Sequence, residues 1–119
     1  MRFLSLIKVQ ESAMQRGPSD ELMAEMGKLL DEMTKAGVML ETAGLRPTAE
    51  GTRLHLSRGK MSTTDGPFAE AKEIIGGYAI LKVKSKEEAI AWTQRFLQIH
   101  GDVWELTCEL RQIEDPPEA

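Results

Sequence analysis

The segment Ile75 to Val83 is apolar on both of its alternating faces, and this narrows the fold more than any other feature. Ile75, Ala79, Leu81 and Val83 point one way, while Tyr78 and Ile80 point the other. Phe3 to Val9 repeats the pattern, with Phe3, Ile7 and Val9 opposed by Leu4 and Leu6. Strands of this kind need cover above and below, because a soluble monomer seldom tolerates a large bare apolar sheet. Only two helices can be read in the chain, enough for one face. The sequence therefore predicts that the second face packs on a partner sheet in a homodimer.

The two helices announce themselves at their ends. Pro18-Ser19-Asp20-Glu21 opens the first: Ser19 can cap free backbone N–H groups, and the two acids suit the positive end of the helix dipole. Leu22, Met26, Leu29 and Met33 follow at helical spacing with Met23 and Leu30, and Gly37 closes the helix. This methionine-rich stripe reads as core. Ser85-Lys86-Glu87-Glu88 has the form of a capping box, in which the Glu88 carboxylate reaches back to the Ser85 backbone. The second helix carries Ala89, Trp92 and Phe96 on one face, with His100 as a cap near its end and Gly101 as its stop.

Between and around the helices, Gln10 to Gly17 reads as a polar loop. Val38 to Glu41 begins a strand that breaks at Gly44 and Pro47. Thr52 to Ser57 and Met61 to Thr64 form a hairpin about Arg58-Gly59-Lys60, and Val103 to Ile113 is the last strand. The order βα, several strands, αβ predicts an α+β sandwich with two helices on one sheet face. A single domain over residues 1–114 is expected, with Asp115 to Ala119 as a frayed tail.

Bulk properties remove several function classes. A chain of 119 residues, 41% hydrophobic and 29% charged, has the make-up of one soluble globular domain. Its net charge of -4 leaves no electrostatic footprint for nucleic acid, and Arg53, Arg58 and Lys60 read as a solvated strand face and turn. No apolar run approaches the ~18 residues of a membrane span, and Met1 to Lys8 lacks a secretory cleavage site, so a cytoplasmic protein is expected. Cys108 is the single cysteine and excludes an internal disulfide; beside Trp104, Leu106 and Leu110 it reads as a small buried hydrophobe. His55, His100 and Asp65 form no recognised metal spacing, and no glycine-rich phosphate loop is present. Neither metal nor cofactor is expected.

Reactive chemistry concentrates in Thr64-Asp65-Gly66-Pro67-Phe68-Ala69-Glu70-Ala71-Lys72-Glu73, a polar loop between strands. Asp65 reads either as a turn former accepting backbone N–H bonds or as a working carboxylate. Glu70, Lys72 and Glu73 read either as a solvated turn or as working groups: the two acids are spaced to share one face of a helical turn and, if desolvated, make an acid–base couple, while Lys72 neutralises both or holds an anionic ligand. Gly76 and Gly77, at the start of a core strand, imply close backbone approach by the loop or a ligand. Tyr78 follows, able to orient a substrate or to satisfy an interface hydrogen bond. His55, between Leu54 and Leu56 on the alternate strand face, reads as a surface histidine or as an acid–base group in a cleft.

Asp65-Gly66-Pro67-Phe68, Glu70, Lys72-Glu73 and Gly76-Gly77-Tyr78 together resemble the hallmark of the bacterial DGPF proteins of the YCII-related family. Ala36-Gly37, Gly44-Leu45-Arg46-Pro47, Gly59-Lys60, and Glu88-Ala89 with Trp92 extend the resemblance over nearly the whole chain. It implies a ferredoxin-like fold with an antiparallel sheet, of the dimeric α/β-barrel type, and a habit of accompanying extracytoplasmic-function sigma factors. Other YCII-type proteins carry a histidine on the first helix; here Met26 stands at that position, and Asp65 is left as the counterpart of the aspartate paired with it. The resulting expectation is a small-molecule enzyme or enzyme-like protein with its cleft between the Asp65 loop and a dimer sheet. Asp65, Glu70, Lys72 and Glu73 are the catalytic candidates, and Tyr78 and His55 the substrate-binding ones. The alternative is a non-catalytic ligand-binding or regulatory protein.

Overall fold

The computed structural model describes residues 1–14, 17–68, 72–101 and 104–116. Strand β1 (Arg2–Val9) leads through a short helix α1 (Glu11–Met14) to the long helix α2 (Asp20–Lys35). Ser19 caps α2, its hydroxyl accepting the Leu22 N–H at 3.1 Å. Strand β2 (Met39–Gly44) and a 3-10 turn at Thr48–Glu50 precede the hairpin of β3 (Thr52–Ser57) and β4 (Lys60–Asp65). Strand β5 (Ile74–Lys82), helix α3 (Lys86–His100) and strand β6 (Leu106–Gln112) complete the chain. Ser85 caps α3 by accepting from Glu88 N–H at 3.1 Å. The Glu88 carboxylate turns back to the Lys84 N–H, one residue before the backbone group expected of it.

Four strands form one antiparallel sheet in the order β2-β5-β1-β6, and β3-β4 stands apart as a two-stranded sheet. With the hairpin set aside, the βαββαβ path through this strand order is the ferredoxin-like arrangement. Both long helices lie on one face, where Phe3, Leu29, Met33, Val38, Leu81, Val83 and Ala89 form the core. Glu32 on α2 and Arg95 on α3 join the helices on their outer side by paired contacts of 2.6 and 2.9 Å.

One departure from simple alternation matters for the site. Ile7 pairs with Gly77 and Lys8 with Ile75, leaving Gly76 as an extra residue in β5. This bulge reverses the alternation: Ile74 is buried against the core, whereas Ile75, expected on that face, is 44% exposed. Gly77 beside it cannot carry a side chain without pressure, because a Cβ there would lie 3.0 Å from the Ala43 carbonyl oxygen. Gly77 thus lets β2 approach β5 closely.

Two contacts appear that local pattern did not show. Glu11, at the start of α1, accepts hydrogen bonds from the Thr48 N–H at 2.7 Å and the Thr48 hydroxyl at 2.6 Å. The start of the polar stretch after β1 is thereby tied to the 3-10 turn. Asp115, where the tail was expected to begin, pairs with Arg2 at 2.6 Å. No helix among the described residues is long and apolar enough to cross a membrane.

Candidate functional site

The Asp65 loop is built as a fastening. Asp65 closes the hairpin, paired with Thr52 across the strands and accepting from its hydroxyl at 3.1 Å. Gly66 N–H donates to the Gly51 carbonyl at 2.9 Å, and a Cβ on Gly66 would collide with the Thr48 carbonyl oxygen. The Gly66–Pro67 peptide is cis. Phe68 lies against Gly51 and under Arg53, whose guanidinium sits 3.8 Å from the ring centroid. Asp65, Gly66 and Phe68 therefore bind the hairpin to the turn that Glu11 holds.

The other sequence candidates are dispersed around this fastening. Glu70 lies outside the described residues. Lys72 and Glu73 are exposed just before β5, and His55 is exposed on β3. Tyr78 lies mid-sheet, opposite Leu6 and Ala43, on the face away from the helices. Burial raises its phenol pKa, and Glu41 nearby pushes the same way. Among the described residues no hydrogen bond or ion pair joins Asp65, Lys72, Glu73, His55 and Tyr78 to one another. Glu73 acts instead on Lys8, whose ammonium is held above its ordinary range chiefly by its 2.9 Å hydrogen bond with Glu109 and more weakly by the Glu73 charge.

A concavity lies on the opposite side of the sheet, open to solvent at its mouth and bordered by α2, α3 and the inner face of β1, β2 and β5. It is a cavity of about 230 Å³. Its walls are largely apolar and include Met26, Met33, Met39, Leu81, Trp92 and Phe96. None of its described lining residues is Lys, Arg, Asp or Glu. Met26, at the position where the resemblance places a histidine, is part of this lining.

A few polar side chains interrupt the wall. Ser5, Thr93 and His100 are each buried, at 4%, 8% and 5% exposure. Thr93 donates its hydroxyl hydrogen to the Ala89 carbonyl at 2.8 Å, which leaves its oxygen as an acceptor. His100 Nδ1 lies 2.9 Å from the Phe96 carbonyl; since a carbonyl only accepts, Nδ1 carries the hydrogen, and Nε2 keeps its lone pair in the neutral ring. The His100 ring packs between Phe96 and Trp104, with centroid distances of 4.7 and 6.0 Å. Trp104 Nε1 is buried with no hydrogen-bond partner among the described residues. Behind the cavity, burial pushes the Cys108 thiol pKa up, and the Ser5 hydroxyl only partly offsets this.

Sequence reasoning centred on the loop and missed this cavity, although a signal existed. Ala89, Trp92, Phe96 and His100 follow one another at helical spacing, so His100 falls on the inward stripe of α3 as well as at its end.

Two comparisons bear on the chain. The family model described as the YCII-related domain matches residues 1–106. An uncharacterized protein of Rhizobium meliloti (strain 1021) is 30% identical over 79 residues, covering 66% of this chain and 64% of the relative. The matched segment thus spans a little under two thirds of that relative's length.

Proposed function

We propose that this chain, which belongs to the YCII-related family, is a small-molecule-binding protein whose site is the cavity between its helix pair and its sheet. The observation that carries the reading is the combination of an apolar space of about 230 Å³ with a few buried polar side chains in its wall. Such concave apolar spaces with sparse polar groups are the usual form of ligand sites.

Thermal denaturation with para-xylene, a neutral probe of this size, tests the reading. Saturation at ~100 times the Kd adds roughly 2.7 kcal/mol of stability. Ala79→Leu, which places extra atoms in the lining, should remove the shift while the fold persists. No stabilisation by any small apolar probe would defeat the proposal.

Whether the ligand is transformed or sensed divides an enzyme from a regulator. Binding without turnover would favour the regulator, with an extracytoplasmic-function sigma-factor pathway as its setting. We also propose that a second copy of the chain covers the open face of the sheet. Leu4, Leu6, Tyr78 and Ile80 support this: they form a half-buried apolar row bordered by the Lys8–Glu109 pair. A face of this kind is suited to self-complementary two-fold packing.

A further inference from the structure

We infer that the cavity ligand is a small ring bearing a hydroxyl group, of the phenol class, with that hydroxyl held between His100 and Trp104. This rests on the cavity reading above and specifies its chemistry.

Size sets the first bound. An engineered apolar cavity of about 150 Å³ accepts benzene, so about 230 Å³ suits a molecule of about nine heavy atoms. Charge sets the second. With no ionic side chain among the described lining residues, a carboxylate or phosphate would lose its hydration without a counter-charge. The surroundings favour a flat, polarisable ring: Met26, Met33 and Met39 and the aromatic residues Trp92 and Phe96 all line the wall.

Hydrogen-bond accounting then selects the functional group. Indole nitrogen only donates, and Trp104 Nε1 is a buried donor with nothing to receive its hydrogen among the described residues. His100 commits Nδ1 to Phe96, which leaves Nε2 as an acceptor without a partner among the described residues. The two rings are 6.0 Å apart and both line the cavity. A hydroxyl has both the donor and the acceptor that these two nitrogens call for: its hydrogen would go to His100 Nε2, and its oxygen would accept from Trp104 Nε1. A ketone answers only the tryptophan, and an aliphatic ring answers neither.

The test compares para-cresol with para-xylene, which differ by one hydroxyl in place of a methyl. Calorimetric titration of the wild type, Trp104→Phe and His100→Leu is read against the denaturation midpoint of each protein. The expected result is para-cresol binding at least tenfold tighter than para-xylene in the wild type. In each variant the preference should shrink by about tenfold, as for a lost buried hydrogen bond, with para-xylene affinity retained as the sign of an intact cavity. Equal wild-type affinities would overturn the hydroxyl inference while leaving the cavity reading in place. Binding of neither compound would overturn both. A preference that survives in both variants would remove His100 and Trp104 from the account.

Discussion

Gly66 sits so close to the Thr48 carbonyl oxygen that a methyl group there has nowhere to go, and the obstacle is backbone, which cannot swing aside. Gly66→Ala should therefore destabilise the protein by about 1–3 kcal/mol, as overpacking does. Gly27 is the contrast. It lies on the exposed side of α2 with open space around its Cβ position, so Gly27→Ala should stabilise by about 0.5–1 kcal/mol. Urea denaturation of the two variants checks both signs; equal effects would show that the Gly66 contact is not a constraint. The sequence displayed Gly66 within a recognisable motif. Its reason was hidden, because Thr48 meets it only through the fold.

Hydrogen bonds between distant segments also explain the elements that escaped prediction. α1 and the 3-10 turn at Thr48–Glu50 are held by Glu11, whose carboxyl stays below the ordinary 4.5 because the Thr48 hydroxyl and N–H both favour its charged form. A carboxyl with a depressed folded-state pKa contributes stability above its unfolded value and loses it as pH falls through the folded value. Glu11→Gln should thus cost most near neutrality, with the difference from wild type shrinking as pH drops below 4.5. Denaturation midpoints at neutral pH and near pH 3 measure this, and a difference independent of pH would refute it. The long helices were legible because caps and apolar periodicity are local; Ser19 and Ser85 do what their positions promised. The Ile74–Ile75 reversal was not, since a bulge is defined by the partner strand. The cavity was half legible. Its apolar stripe was read as core; helical spacing already placed His100 on that stripe, but its meeting with Ser5 of β1 became visible only when α3 was laid over the sheet.

As a whole the molecule is flat, 46 × 45 × 18 Å, with a radius of gyration of 16.4 Å. A compact chain of this length would have about 13.5 Å. The excess reflects a sheet with helices on one side only and a hairpin whose strands are exposed along their whole length. If a second copy covers the open face, sedimentation equilibrium should give twice the chain mass, and Leu6→Glu should return it to one. A single-chain mass for the wild type at every concentration would sink the dimer.

The separateness of the hairpin has a practical side. The chain leaves the main sheet at Gly44, paired with Gly77, and Leu45 N–H reaches the Gly76 carbonyl at 2.9 Å, so departure and return lie side by side. The described residues between them make a closed excursion. Its tip, Arg58-Gly59, turns with φ of 50° and 79°, far along the chain from every rung of the four-stranded sheet. A protein engineer could splice a reporter peptide or an epitope into that tip and keep the sheet intact, using the rest of the domain as a display scaffold.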